Sequence, residues 1–482
     1  MTDAEARARV REAGGAELLE RLDHLDATRA TPPVDDDPPP RPPAQDRALD
    51  YDVVLAGGGL SLLYAPLLAA RGLRVGVFER GRAAVAQREW NASGPELQAL
   101  VRGGLLTQEE LRGVVAARYE RGICRWHGGG TYPVAGVLDH AVDAGALLQA
   151  ARRRAEEAGV EIHEGHTLVG HAAGRRAIAA RFRTAGTSVD VRARLLLDGR
   201  GAASPSAKAD LLCPTIGGVT EGLAAGTGGD EVDPAVGEML VTVEGVEDGR
   251  QHVWEAFPGR PGQTTIYLFH FARADRVCGG ELTRLFARFF ERLPTYKRGD
   301  ARLVRPTFGF IPGWSRLVPP PAPPSPRILL LGDAAARHSP LSFCGFGGTL
   351  RSLGPAVSRI AAAIDRRREH LLGTVVDDRP LHAATGLLAR MMVEPEGDPQ
   401  ALNRLFDAAF GALHAMGNET YASLLRDEMG PADFVRFLGG TGLRRPRLLY
   451  DVPAQLGASA LARWARAAIA AELGARARRP PA

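Results

Sequence analysis

Between Tyr51 and Glu79 the chain runs an apolar stretch, Val53-Val54-Leu55-Ala56, into Gly57-Gly58-Gly59. An Ala/Leu-rich segment to Ala70 follows, then a second apolar stretch, RVGVFE, that ends on an acid. The apolar runs read as buried strands and the segment between them as a helix. Parallel strands joined by a helix belong to a doubly wound sheet. Glycines at such a strand-to-helix junction let the backbone approach a pyrophosphate, the helix N-terminus attracts its charge, and an acid about 20 residues on accepts ribose hydroxyls. The spacing predicts a dinucleotide-binding unit with Gly57, Gly58 and Gly59 at the phosphates and Glu79, followed by Arg80, at the adenosine ribose. The competing reading is a tight turn without a ligand. Leu62 stands where the third glycine of the fingerprint would be, so looser packing of helix on strand is expected.

A chain of 482 residues exceeds what one hydrophobic core supports, so several packed regions are expected. Residues 1–30 read as an N-terminal helix and 31–48, rich in proline, as a linker. Residues 49–212 form the first part of the dinucleotide domain, with two polar helices over 96–120 and a longer helix over 138–158. Residues 213–304 switch to period-two alternation in three runs, EMLVTVEGV, QHVWEAF and TTIYLFHF, which predict an inserted antiparallel sheet facing the substrate. The dinucleotide domain resumes over 305–370, and 371–482 reads as helical, with breaks near Pro395, Gly430 and Pro446. The fold class expected is α/β, a Rossmann-like doubly wound domain carrying an antiparallel layer and a helical C-terminal region.

Basic residues exceed acidic ones by four, but the only lysines are Lys208 and Lys297, and a charge carried almost wholly by arginine does not by itself point to nucleic acid. Cys124, Cys213, Cys278 and Cys344 form no C-x-x-C pair. With no long apolar run and no leader-like opening, a cytoplasmic protein, soluble or peripherally attached to a membrane, is expected. His163, His166 and His171 lie close together without an acidic or cysteine partner pattern and read as a surface cluster, so no metal is expected.

The strand RILLLGD and the Gly345-Phe346-Gly347-Gly348 turn after it match a second contact to a flavin. In that reading Asp333 faces the ribityl hydroxyls, and the helix opening at Gly345, Gly347 and Gly348 faces the ring. This half separates FAD from NAD. An ordinary helix N-cap is the alternative for Asp333. Asp198-Gly199 closes another strand as either a flavoprotein turn or an ordinary β-turn, His338 reads as a loop histidine near the flavin, and Cys344 as packing. In QHVWEAF, alternation puts Glu255 on one face with Val253 and Phe257. Either this acid sits in an apolar layer, or Trp254 and Ala256 face the core and Glu255 faces water.

The glycine unit with REWNAS (88–93), the stretch ELQALVRGGLLTQEEL running to Cys124, HVWEAFPGRPGQTTIYLFHF, and RILLLGDAAARHSPLSFCGFGGTLRSL stand in an order that resembles one family over residues 50–355. It is the lycopene cyclase type of cyanobacteria and green sulfur bacteria, within the flavoprotein group of geranylgeranyl reductases and aromatic-ring monooxygenases. The resemblance implies FAD, active when reduced, with NAD(P)H as an indirect source of electrons, and a lipophilic polyene substrate. It implies that Glu255 handles the proton of a cyclisation without net oxidation. The chain departs from the family at Ser61, where a glycine is usual, and at Arg337-His338. Rival readings are a flavin oxidoreductase, such as a prenyl reductase or monooxygenase, and a flavin-bound paralogue without cyclase activity. Tryptophan-halogenase chemistry is disfavoured because neither lysine sits in a matching motif. A basic amphipathic helix over 458–479 offers peripheral contact with an anionic bilayer.

Overall fold

The computed structural model describes residues 1–30, 40–42, 48–86, 88–314, 325, 327–336, 341, 345–369, 372, 388–393, 398–459, 461–462, 464–466 and 469. Strands β1 (Tyr51–Ala56) and β2 (Val75–Glu79) pair in parallel, joined by a 3-10 turn at Leu60–Leu63 and the short helix α2 (Tyr64–Ala69). β8 (Glu161–Glu164) adds beyond β2, and β11 (Ser188–Asp198) lies on the other side of β1. The long β11 pairs along its first half with β10 (Ile178–Arg183), itself paired with β9 (Thr167–Ala173), and along its second half, in parallel, with β18 (Ile328–Leu330). The runs that read as fully apolar are buried on both faces. Val53 and Leu55 pack with helices α5 (Ala144–Glu157) and α7 (Gly345–Asp365), while Val54 and Ala56 pack with Phe78 and Phe182. Each such valine, leucine or phenylalanine contributes roughly 1.5–3 kcal/mol when fully buried.

The three alternating runs form β13 (Val236–Val241), β14 (Val253–Pro258) and β15 (Gln263–Phe269), with β14 antiparallel to both neighbours. They belong to an eight-stranded sheet that also holds β12 (Leu211–Leu223), β16 (Ala272–Arg273), the edge strand β17 (Gly299–Gly313), β5 (Arg121–Arg125) and β6 (Thr131–Val134). One face, bearing Trp254, Ala256, Ile266 and Leu268, is covered by α1 (Asp3–Ala30) and α6 (Glu281–Tyr296). The other, bearing Val253, Phe257, Tyr267 and Phe269, packs against α8 (Ala401–Ala415), α9 (Asn418–Leu425), α10 (Pro431–Arg444) and α11 (Leu448–Leu456).

Several expectations are corrected. Of residues 96–120, only α3 (Gly94–Arg102) and α4 (Gln108–Val114) are helical, because Val115–Arg118 becomes strand β4. The helix expected over 138–158 begins at Ala144, since Asp143 accepts the Ala146 amide at 2.9 Å as its cap. The residues before it, His140–Asp143, form β7 between β4 and β3 (Glu89–Ala92) in a small third sheet. Strands β5 and β6, read as part of the dinucleotide region, join the larger sheet instead. The N-terminal helix is kinked at Gly15 and docked: Asp26 accepts the Leu282 and Thr283 amides at 2.9 and 3.1 Å, capping α6 from another part of the chain. Pro395 and the last dozen residues lie outside the described residues, and Leu461 and Trp464, from the expected basic helix, pack on the C-terminal core. Among the described residues no helix is long and apolar enough to cross a membrane.

Candidate functional site

Ala56, Asp198 and Leu330 stand side by side at the C-terminal ends of β1, β11 and β18. The fold therefore brings the turns after them, Gly57–Gly59, Gly199–Arg200 and Gly332–Asp333, to one edge of the parallel sheet, where doubly wound folds bind ligands. The three glycines are not equivalent. A Cβ on Gly57, whose φ is +113°, would fall 2.5 Å from the Gly199 carbonyl oxygen, and one on Gly58 would fall 2.8 Å from Ala83 Cβ. A Cβ on Gly59 would meet nothing within 4 Å. Gly57 and Gly58 thus serve the protein's own packing, and Gly59 borders open space that fits a pyrophosphate.

Glu79 ends β2 beside this loop, accepting the Gly58 amide at 2.7 Å and the Gly81 amide at 2.8 Å. A carboxylate has further lone pairs, so it retains acceptor capacity for ribose hydroxyls. Ser61 is buried and its hydroxyl donates to the Gly57 carbonyl at 3.0 Å, filling the gap between the two turns, while Leu62 is buried in the core. Asp198 is buried, and Arg200 and Ser204 hold its carboxyl below the usual range against the effect of burial, so it acts as a turn anchor. Asp333 lies in the 3-10 turn Gly332–Ala335, the described element that precedes α7 in the chain. Gly347 is glycine because a Cβ there would stand 2.6 Å from the Glu96 carboxylate; Gly345 and Gly348 share the first turn of α7. Arg337, His338 and Cys344 lie outside the described residues.

Glu255 does not face water. It is 8% exposed, on the face of β14 shared with Val253 and Phe257, opposite Tyr267 of β15. Asn91 Nδ2 donates to its Oε1 at 2.7 Å. Burial pushes the carboxyl up to about 7, against the lowering effect of that one hydrogen bond. The Tyr119 phenol, buried near the same pair, is driven well above its ordinary range by burial and then by Glu255. Asn91 belongs to β3, whose Trp90 packs at 4.7 Å on Phe346 in the first turn of α7. Two side-chain contacts therefore join the acid to the helix that opens beside the parallel-sheet edge. Glu89, on the same side of β3 as Asn91, is buried, paired with Arg305, and raised by burial. Neither Asn91 nor Glu89 stood out from the sequence, although polar residues flanking Trp90 in REWNAS were a usable signal.

The remaining expectations resolve into packing. His163 stacks on Phe78 at 4.5 Å and lies 3.0 Å from the Tyr51 hydroxyl. Cys124 is buried, its thiol pushed up to about 12 by burial. Lys297 is buried with its ammonium spent on Glu238 Oε1 and the Glu231 carbonyl, each at 2.7 Å.

No family model matches this chain, and no curated protein does. Solved structures share its architecture. A geranylgeranyl bacteriochlorophyll reductase-like protein from Thermoplasma acidophilum aligns with 85% of this chain and 99% of its own at 16% identity and a TM-score of 0.51. Halogenase PltM, crystallised with phloroglucinol and FAD, aligns with 87% and 96% at 13% identity and a TM-score of 0.57. p-Nitrophenol 4-monooxygenase PnpA from Pseudomonas putida DLL-E4 aligns with 80% and 98% at 17% identity and a TM-score of 0.51. The likeness is one of fold. The doubly wound layer with an attached antiparallel sheet, expected from the sequence, is the fold of these three proteins.

Proposed function

We propose that this chain is an FAD-dependent enzyme acting on the end of a carotenoid-like polyene, a lycopene cyclase or a close paralogue. The observation that carries the reading is Glu255, a protonatable acid in an apolar layer, joined through Asn91, Trp90 and Phe346 to the dinucleotide edge. FAD fits that edge: open space beside Gly59 for the pyrophosphate, Glu79 for the adenosine ribose, Asp333 and the start of α7 for the other half. Bound there in its reduced form, it would supply negative charge near a developing cation.

The chain's own residues supply the proton chemistry. Protonated Glu255 donates to the terminal double bond of the polyene, a neighbouring double bond captures the cation and closes the ring, and a ring proton is lost. The Glu255 carboxylate takes that proton, so atoms and electrons balance without an oxidant. A carboxyl near neutrality is matched to both halves of this cycle. Val253, Phe257 and Tyr267 keep the layer apolar and exclude water that would quench the cation. Contact of the C-terminal segment with a bilayer would deliver a lipid-dissolved substrate.

The shared fold favours a flavin oxidoreductase as the second reading. A halogenase draws no support from Lys297, whose ammonium is already bonded. Expressing the chain in cells that accumulate lycopene decides among them: cyclisation changes the pigment at constant mass, reduction adds hydrogen and oxygenation adds oxygen. Unchanged lycopene in cells holding folded, flavin-loaded protein would refute the cyclase reading.

A further inference from the structure

The face of the eight-stranded sheet that carries Ala256, opposite the one that carries Glu255, holds a cavity of about 320 Å³. That volume is within the range of small-molecule sites, about 300–1,000 Å³. Its floor follows from the alternation of four paired strands. Ile123 on β5 stands opposite Pro133 on β6 and beside Glu238 on β13, which pairs in turn with Ala256 on β14. Val236 and Pro258, two residues along from Glu238 and Ala256, widen the apolar part of this floor. The segment 227–233, which leads towards β13, and the buried Lys297 complete the lining.

Two guanidiniums, those of Arg121 and Arg125, flank Ile123 on the same face of β5. Among the described residues the Arg125 side chain donates one hydrogen bond, to the Gly229 carbonyl at 3.2 Å, and the Arg121 side chain none. The carboxylates paired with them, Glu238 and Asp233, each stand 3.9 Å away, beyond hydrogen-bond reach. A guanidinium carries five N–H groups, so most of this donor capacity is unspent. Gly229 leaves the Arg125 fork its place, since a Cβ there would stand 2.8 Å from Nη1. The acids of the lining are committed elsewhere. Glu238 accepts from Lys297 at 2.7 Å and from the Tyr296 hydroxyl. Glu231 pairs with Arg298 and accepts the Gly228 amide at 2.9 Å, and Asp233 accepts the Ala235 amide at 2.9 Å.

Unspent guanidinium donors beside an apolar floor call for an anion with a hydrocarbon body. Three acids balance the three cations of the lining, so a singly charged group meets less repulsion there than a doubly charged one. We propose that this cavity binds a small carboxylate with an apolar body, held by the forked donors of Arg121 and Arg125. The site is separate from the dinucleotide edge and does not depend on the FAD reading. β14 is the wall it shares with the acid: Glu255 points to one face of the strand and Ala256, the next residue, to the other.

The test titrates the full chain, with whatever flavin it retains, against benzoate, its uncharged isostere benzamide and inorganic phosphate by isothermal calorimetry. Benzoate is expected to bind at least about tenfold more tightly than benzamide, and Arg121→Gln and Arg125→Gln each to weaken it by about tenfold, the range for a hydrogen bond to a charged group. Arg125→Lys, which keeps the charge without the fork, should fall between. Glu255→Gln, on the other face of β14, should bind benzoate as the wild type does. Thermal melting confirms the fold of each variant, and the exposed Arg121 keeps the test decisive if Arg125→Gln does not fold. A folded wild type that binds no benzoate, or equal affinity in wild type and Arg121→Gln, would overturn the proposal. Loss of binding in Glu255→Gln would place benzoate on the opposite face and overturn it as well, and phosphate bound more tightly than benzoate would overturn the carboxylate.

Discussion

Asn91 donates a 2.7 Å hydrogen bond to Glu255, and through it the small three-stranded sheet meets the eight-stranded one. The bond opposes the desolvation that raises the acid, so it sets where the proton leaves. Asn91→Leu is expected to move the alkaline limb of the pH–rate profile upward by about one unit, the equivalent of one hydrogen bond to a charged group. A limb that stays in place would detach Asn91 from the acid.

The same burial makes Glu255 a liability at alkaline pH. Its folded pKa of about 7 lies above the ordinary 4.5, so the protonated form is favoured in the folded state. Its contribution to stability is full below the ordinary value and is lost as pH rises through about 7. Glu255→Gln, which cannot ionise, should melt higher than the wild type above that range, by up to about 3 kcal/mol, with the advantage disappearing in mild acid. Parallel melting curves across the range would place Glu255 in water.

Gly59 and Gly57 separate ligand space from backbone necessity. Gly59→Val fills open volume at a φ of −86° and should cost about 1 kcal/mol of stability while abolishing FAD binding. Gly57→Ala forces a side chain onto φ +113° and against Gly199, so it should cost about 2 kcal/mol or more whether or not cofactor is present. Melting and flavin retention measured on both variants check the contrast. FAD bound normally by Gly59→Val would remove the phosphate cradle from the account.

Period-two alternation put Glu255 on one face with Val253 and Phe257 but could not say whether that face met protein or water. β14 turns out to be buried on both faces, Trp254 and Ala256 against α1 and α6, and Val253 and Phe257 against the C-terminal helices. β12 was not legible. It carries Pro214 and Gly217-Gly218, residue types that disfavour strands, yet the two glycines let the strand pass where a Cβ would fall about 2 Å from the carbonyls of Ile266 and Arg305. β5 was hidden for a different reason. Its partner β13 is distant in sequence and parallel to it, a pairing no local pattern announces. The docking of α1 was hidden too, since it depends on Asp26 meeting α6 across more than 250 residues.

A buried histidine pair contributes to acid sensitivity. His252 is held well below 6.5, first by burial and then by the charges of His270, Arg288, Arg250 and Arg292, while Glu244 stands 3.8 Å away. The unfolded chain takes up a proton as pH falls below that value and the folded chain does not, so stability is lost on acidification. His252→Gln should lose less of its melting temperature than the wild type between about pH 7 and about pH 5. Equal losses would show that His252 takes up its proton in the folded chain as readily as in the unfolded one.

The most direct test of the central claim is the rate at which Glu255→Gln, loaded with reduced FAD, converts lycopene, measured against the wild type by chromatography of the pigment. The glutamine keeps the shape and can accept from Asn91, so fold and bound flavin should survive. Activity is expected to fall by roughly 100- to 10,000-fold, the contribution of general acid catalysis, with Glu255→Asp retaining a fraction. A glutamine variant that holds FAD and cyclises lycopene at the wild-type rate would contradict the mechanism.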